Sequence, residues 1–160
     1  MNIRAYNQND FERIAEIHDV ARKVELASAN LSDAFLTLEQ TYVNEGLFDN
    51  TLLVAEIEGK VVGFVAYSND EITWLYVDQS YQRQKIGETL LRSAIYECGN
   101  TVRLEVLVGN DRALNLYQKV GFRIAETKSG KLVGFETFPA TGHIMELQKS
   151  EQSVDAPSMA

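Results

Sequence analysis

The chain has little with which to build a crosslinked, metal-bound or membrane-bound protein. Its 160 residues include one cysteine, Cys98, so no internal disulfide can form. The histidines His18 and His143 and that cysteine are too scattered to suggest a zinc site, and no metal is expected. No apolar run approaches bilayer-spanning length, and the N-terminus lacks the basic-then-apolar layout of a secretion signal. A cytoplasmic location without a membrane partner is therefore expected. Positive charge is also scarce: 15 Lys and Arg stand against 23 Asp and Glu, a net charge of −8. That balance disfavours nucleic acid as a partner and mildly favours a cationic substrate, while also serving solubility.

What is present is ordinary globular material, 45% hydrophobic and 24% charged, in a length suited to one domain with a real core. The small, polar and aperiodic residues 150–160 read as a disordered tail behind a domain of residues 1–149. Residues 3–5 suit a short first strand. Asn9 and Glu12 have the spacing of a capping box, and Phe11, Ile14, His18 and Ala21 mark one face of a first helix. His18 and Cys98 both read as core residues on their helices. Ser28, Ala29 and Asn30 break the first helix. Ser32 is placed to cap a second, whose face continues through Phe35, Leu38, Tyr42 and Val43 to Gly46.

Residues 52–57 and 61–67 are apolar strands around a tight Glu58-Gly59-Lys60 turn, and a further turn at Ser68-Asn69-Asp70 leads into a strand over residues 71–77. After a helix from Ile86, residues 101–108 read as a strand, and Asn110 or Asp111 caps a helix that Gly121 ends. A strand over 122–126, a loop at Lys128-Ser129-Gly130-Lys131 and a last strand over 143–147 complete the chain. The order β-α-α-β-β-β-α-β-α-β-β predicts an α+β sandwich, a mixed central sheet with helices on both faces.

One stretch organises the rest. Trp74, Leu75, Tyr76 and Val77 are strand residues, Asp78, Gln79 and Ser80 break the run, and Ile86, Leu90, Leu91, Ala94 and Ile95 share a helical face. Between them lie Gln82, Arg83, Gln84, Lys85, Ile86 and Gly87. The first N–H groups of a helix lack internal partners and sit at the positive end of its dipole, so this turn is a natural anion seat. Gly87 allows close approach to the backbone, and Arg83 and Lys85 add positive charge.

The turn resembles the acetyl-CoA-binding motif of the GNAT (Gcn5-related N-acetyltransferase) superfamily, Gln/Arg-x-x-Gly-x-Gly/Ala after a strand and at a helix mouth. Gln82 and Gly87 match, and Lys85 stands where the family has its first glycine. The run Asn110 to Phe122 resembles a second pattern, Asn-x-x-Ala-x-x-Leu-Tyr-x-Lys-x-Gly-Phe, at every fixed position. The resemblance covers residues 3–148 and is strongest over 71–122. It implies the GNAT acyl-CoA N-acyltransferase fold and transfer of an acetyl group from acetyl-CoA to a primary amine of a small molecule or peptide, by direct attack in a ternary complex. A homodimer is compatible with it.

The resemblance also assigns parts. Backbone groups of residues 82–87 would hold the pyrophosphate. The edge of the strand at Leu75, Tyr76 and Val77 would bond the pantetheine arm, in a slot opened where this strand and the next splay apart. Asn110 would contact the cofactor, and Tyr117 would give its proton to the departing sulfur. Glu71 matches the catalytic glutamate of the histone-acetylating branch, and Glu105 lies near the splay. Either is a candidate base, with a water chain as the alternative. A structural role is open to both, Glu105 in an ion pair with Arg103 or Arg123 and Glu71 at a solvated turn. Lysine at position 85 is expected to be tolerated in an ordinary helical backbone. Glu25, Asp33 and Glu136, with Phe135, Phe138 and Pro139, are the acceptor-side candidates. The competing reading is a non-catalytic acyl-CoA-binding or protein-interaction module on the same fold.

Overall fold

The computed structural model describes residues 1–132 and 135–149, with residues 135–137 by their backbone alone. The expected tail over 150–160 lies outside the described residues. In chain order the elements are β1 (Asn2–Ala5), α1 (Phe11–Ser28), α2 (Leu38–Thr41), β2 (Thr51–Ile57), β3 (Lys60–Tyr67), β4 (Ile72–Val77), α3 (Ile86–Glu97), β5 (Thr101–Leu107), α4 (Asp111–Val120), β6 (Arg123–Leu132) and β7 (Phe135–Gln148). Among the described residues no helix is long and apolar enough to cross a membrane.

The strands form two antiparallel sheets, ordered β1-β2-β3-β4 and β5-β7-β6. The expected central sheet is therefore divided. Among the described residues its halves touch through one parallel bridge between Glu71 and Arg103, beside an Arg103 N–H to Asp70 O bond of 2.8 Å. Both faces of the first sheet are covered, which is why every residue of β3 after Lys60 is buried. On one face Ile14 and Ile17 of α1 and Leu38 of α2 pack on Val54, Phe64 and Trp74. On the other, Ile86, Leu90, Leu91 and Ala94 of α3 pack on Val62 and Val65, and the same cluster runs on through Val102, Leu104 and Val106 of β5 to Met145 of β7. This second core spans both sheets and holds them as one body. Each fully buried aliphatic side chain in it contributes ~1.5–3 kcal/mol.

Local chemistry sets the boundaries. The Glu58-Gly59 turn takes positive φ at both residues (50° and 79°), the backbone of a two-residue hairpin that follows the sheet's twist. Asn110 caps α4 through Ala113 N, and Gly121 closes it at φ 118°. Lys149 donates from Nζ to Ile95 O (2.8 Å) and Cys98 O (2.7 Å), placing a cation at the negative end of α3. Cys98 is buried, as expected, and burial pushes its thiol up to about 11.

Three expectations are corrected. The first capping box belongs to Asn7 and Asp10, not Asn9 and Glu12, and it starts a 3-10 turn ahead of α1. The second helix does not run on from Ser32. Phe35 is extended (ψ 131°), and a capping box between Thr37 and Gln40 starts the short α2 afresh. The loop expected at residues 128–131 is strand. β6 and β7 form one long hairpin in which Lys128 pairs with Gly142, Ser129 with Thr141 and Gly130 with Ala140. The side chains of β6 are almost all exposed, so no alternation of apolar and polar residues marked it.

Gly63 lets α3 lie close on β3. A Cβ there would come within 3.0 Å of Leu90 Cδ1 and 3.1 Å of Tyr76 O, and the second neighbour is backbone. Gly63→Ala should therefore cost about 1–3 kcal/mol in denaturant unfolding. An unchanged midpoint would show that α3 has room to shift.

Candidate active site

Because β4 and β5 part after the Glu71–Arg103 bridge, the facing edge of β4 is unpaired over Leu75, Tyr76 and Val77 among the described residues. Two cavities open on the gap. One, of about 530 Å³, runs from Leu75, Tyr76 and Val77 along residues 82–83 and 85–88 to Asn110 and Tyr117. The other, of about 480 Å³, lies between α1, β4, β5 and the β6–β7 hairpin and is lined by His18, Arg22, Glu45, Glu71, Glu105 and Lys131 among others. Glu25, Leu75, Tyr76 and Tyr117 line both. The gap is thus a passage between two differently lined chambers.

The first chamber ends at the mouth of α3. The first N–H there to reach a carbonyl of the chain is that of Thr89, on Lys85 O at 3.0 Å. Those of Ile86, Gly87 and Glu88 have no intrahelical partner by helix geometry. Arg83 (φ 65°) and Lys85 (φ 60°) are left-handed with Gln84 between them, an alternation that turns successive N–H groups to one side. This corrects the expectation for Lys85. Its backbone is the conformation glycine adopts freely, and a side chain there costs about 1–2 kcal/mol. A Cβ on Gly87 would meet only Leu116 and Val77 side chains, at 3.6 Å. The fold itself does not require glycine at that position. Arg112 and Lys119 also line this chamber, and Lys119 holds Glu88 in an ion pair of 2.7 Å that keeps its carboxyl below the usual range.

At the junction, Tyr76 donates its hydroxyl to Glu25 Oε1 (3.2 Å), and Asn110 Nδ2 donates to Glu25 Oε2 (3.3 Å). Arg22 ion-pairs with the same carboxylate. Both ends of the Asn110 amide are engaged, since its Oδ1 caps α4. Burial, with the Glu25 charge behind it, pushes the Tyr117 hydroxyl well above the ordinary tyrosine value, and Tyr76 likewise. Both hydroxyls stay protonated at neutral pH. His18 is buried as expected, with Nδ1 3.0 Å from Asp19 Oδ1, and burial pulls its pKa down so that the ring is neutral.

Glu71 and Glu105 both line the second chamber. Burial, then the charges of Glu105 and Asp70, raise the Glu71 carboxyl and make it a better proton acceptor. Arg103 pairs with Glu146, 3.3 Å away, not with Glu105. Of the acceptor-side candidates, Glu25 is at the junction and Asp33 is away from both chambers. The side chains of Phe135 and Glu136 lie outside the described residues. Arg22, Glu45 and the Tyr76 hydroxyl were not expected at the site. Only tertiary contacts reveal them, for neither helical nor strand spacing tells which polar groups meet across elements.

The fold belongs with those of solved N-acetyltransferases. A ribosomal-protein-alanine N-acetyltransferase from Brucella melitensis superposes with a TM-score of 0.71 at 23% identity, over 92% of this chain and 99% of that one. The PaiA N-acetyltransferase of Thermoplasma acidophilum, solved in complex with coenzyme A, gives 0.69 at 23% identity over the same shares. In sequence, the N-alpha-acetyltransferase RimI of Mycobacterium tuberculosis is 36% identical over 83 residues, 46% of this chain and 52% of that protein. An N-alpha-acetyltransferase of Sulfurisphaera tokodaii is 33% identical over 97 residues, 48% and 58% of the two. The chain spans about half the length of these two curated relatives. The model of the acetyltransferase (GNAT) family matches residues 14–122, and the chain belongs to that family.

The strain at position 85 can be separated from the charge. Lys85→Gly should stabilise the protein by up to about 1 kcal/mol, the relief of strain exceeding the added freedom of the unfolded chain. Lys85→Ala keeps the strain and should melt with the parent. A lower melting temperature for the glycine variant would mean that the lysine side chain itself holds the turn.

Proposed function

We propose that the protein transfers an acetyl group from acetyl-CoA to a primary amine in a ternary complex, and that the acceptor is the terminal amine of a peptide or protein. The observation that carries this reading is the meeting of the two chambers at Tyr117, one ending in an anion seat and the other lined by carboxylates. The acceptor class is supported by the relatives, which are N-alpha-acetyltransferases.

The residues present fit acetyl-CoA. Uncovered N–H groups at Ile86, Gly87 and Glu88, with Arg83 and Lys85, suit a pyrophosphate. The unpaired edge at Leu75, Tyr76 and Val77 suits an extended amide-bearing arm, bound as an added strand. When bound, acetyl-CoA supplies a thioester already activated toward amines. Glu71 and Glu105 would take, directly or through water, the proton that the acceptor ammonium must lose, and Glu71, whose carboxyl burial raises, is the first candidate.

Tyr117 faces the junction as a neutral hydroxyl. A thiol ordinarily titrates near 8.5, far below this tyrosine, so complete proton transfer from Tyr117 to sulfur is uphill. The hydroxyl acts chiefly by hydrogen-bonding the sulfur as charge grows on it. Asn110 contributes by capping α4, the helix that carries Tyr117, and by its bond to Glu25.

Gly87→Val should fold, since the residue's surroundings are two side chains at ordinary contact distance, yet weaken CoA by more than about tenfold, or 1.4 kcal/mol, in calorimetric titration. Parental affinity in the folded variant would move the phosphate site elsewhere.

Tyr117→Phe keeps the ring against Phe122 and removes the donor. Its turnover number should fall by about 10², the low end for loss of one hydrogen-bond donor to developing charge, with CoA affinity and melting temperature nearly unchanged. Parental turnover, measured where chemistry limits the rate, would make Tyr117 a packing residue. Tight CoA binding by the parent without turnover on any peptide or amine of a panel would support the non-catalytic binding module instead.

A further inference from the structure

Beyond the bridge of Glu71 with Arg103, no backbone pairing fixes how far apart β4 and β5 stand among the described residues. The last turn of α1 lies across the open end. One oxygen of Glu25 receives the Tyr76 hydroxyl of β4, and the other receives the amide of Asn110, three residues past the end of β5. Arg22 ion-pairs with that carboxylate from the preceding turn, and His18, a turn earlier still, sets its ring edge on Tyr76 at 4.9 Å. The backbone of the same turn makes the second contact. A Cβ on Gly109 would come within 2.5 Å of Ser28 O and 3.2 Å of Ala29 Cα, and Gly109 holds φ at 105°. So α1 reaches one strand through Tyr76 and the other through Gly109 and Asn110.

We propose that the last turn of α1 is a strut that sets the width of the gap between β4 and β5, with Glu25 the positioning residue through which it acts. A carboxylate suits this part because its two oxygens point to different elements at once. The inference rests on reading the gap as the slot for the pantetheine arm. It separates two parts of the ligand: the arm lies in the gap and feels its width, whereas the phosphates lie at the mouth of α3 and do not.

The test is calorimetric titration of Glu25→Ala and Glu25→Gln with two probes, CoA and adenosine 3′,5′-bisphosphate, which carries phosphates but no arm. Glu25→Ala should bind CoA at least about fivefold more weakly and the bisphosphate within about twofold of the parent. Glu25→Gln keeps one acceptor oxygen and should lose about two- to threefold on CoA alone. The turnover number at saturating substrates should fall in the same order. Unchanged CoA binding in the folded alanine variant, or equal losses on both probes, would overturn the strut. If the alanine variant does not fold, the glutamine variant decides by the same comparison. A parent protein that binds no CoA would remove the premise itself, a result distinct from either outcome of the variants.

Discussion

The architecture depends on the parallel bridge between Glu71 and Arg103 and, among the described residues, on its not being followed by a second between β4 and β5. Two strands that meet once and then part leave backbone groups exposed along both facing edges. Every feature of the site is arranged on that divergence. The mouth of α3 lies beyond the end of β4, Tyr117 arrives on the helix after β5, and Glu71 and Glu105 lie nearer the vertex.

Such a split would weaken an ordinary sheet. Here it is tolerated because the two faces are packed differently. The core under α3 and α4 passes without interruption from Val62 and Val65 to Leu104, Val106 and Met145, so the halves share one hydrophobic interior although they share almost no hydrogen bonds. The core under α1 and α2 stops at Trp74 and Tyr76. What lies past its margin is the second chamber. Cohesion and access have thus been assigned to opposite faces of the same sheet, and α1 is the element at which they meet.

The fold was largely legible in the sequence because its elements obey strong local rules. The hairpin at Glu58-Gly59, the cap at Asn110 and the stop at Gly121 each follow from one residue's backbone preference. The failures have physical causes. β6 beyond Glu126 is solvated on both sides and carries no periodic signal. The helix expected after Ser32 was broken by an extended Phe35, which side-chain spacing does not report. At the site, a strand, a turn and a helix mouth in the sequence correspond to β4, the turn over residues 78–85 and the start of α3. The left-handed backbone of Lys85 was hidden, since lysine gives no sign of a conformation it rarely takes. Glu25 was noticed as a charge. Its part at the junction depends on Tyr76 and Asn110, far along the chain, and contacts of that range are set by topology alone.

The divided sheet bears also on the fate of the chain at high concentration. Unpaired strand edges are templates on which another chain can add, and proteins commonly guard them with charge, proline or a bulge. The facing edge of β4 carries no such guard along Leu75, Tyr76 and Val77. It is protected by enclosure. The edge of β4 lies between two cavities, one lined in part by α1 and β5 and the other in part by α1, α3 and α4. The same walls that bound the two cavities therefore help to shield this strand edge from another chain.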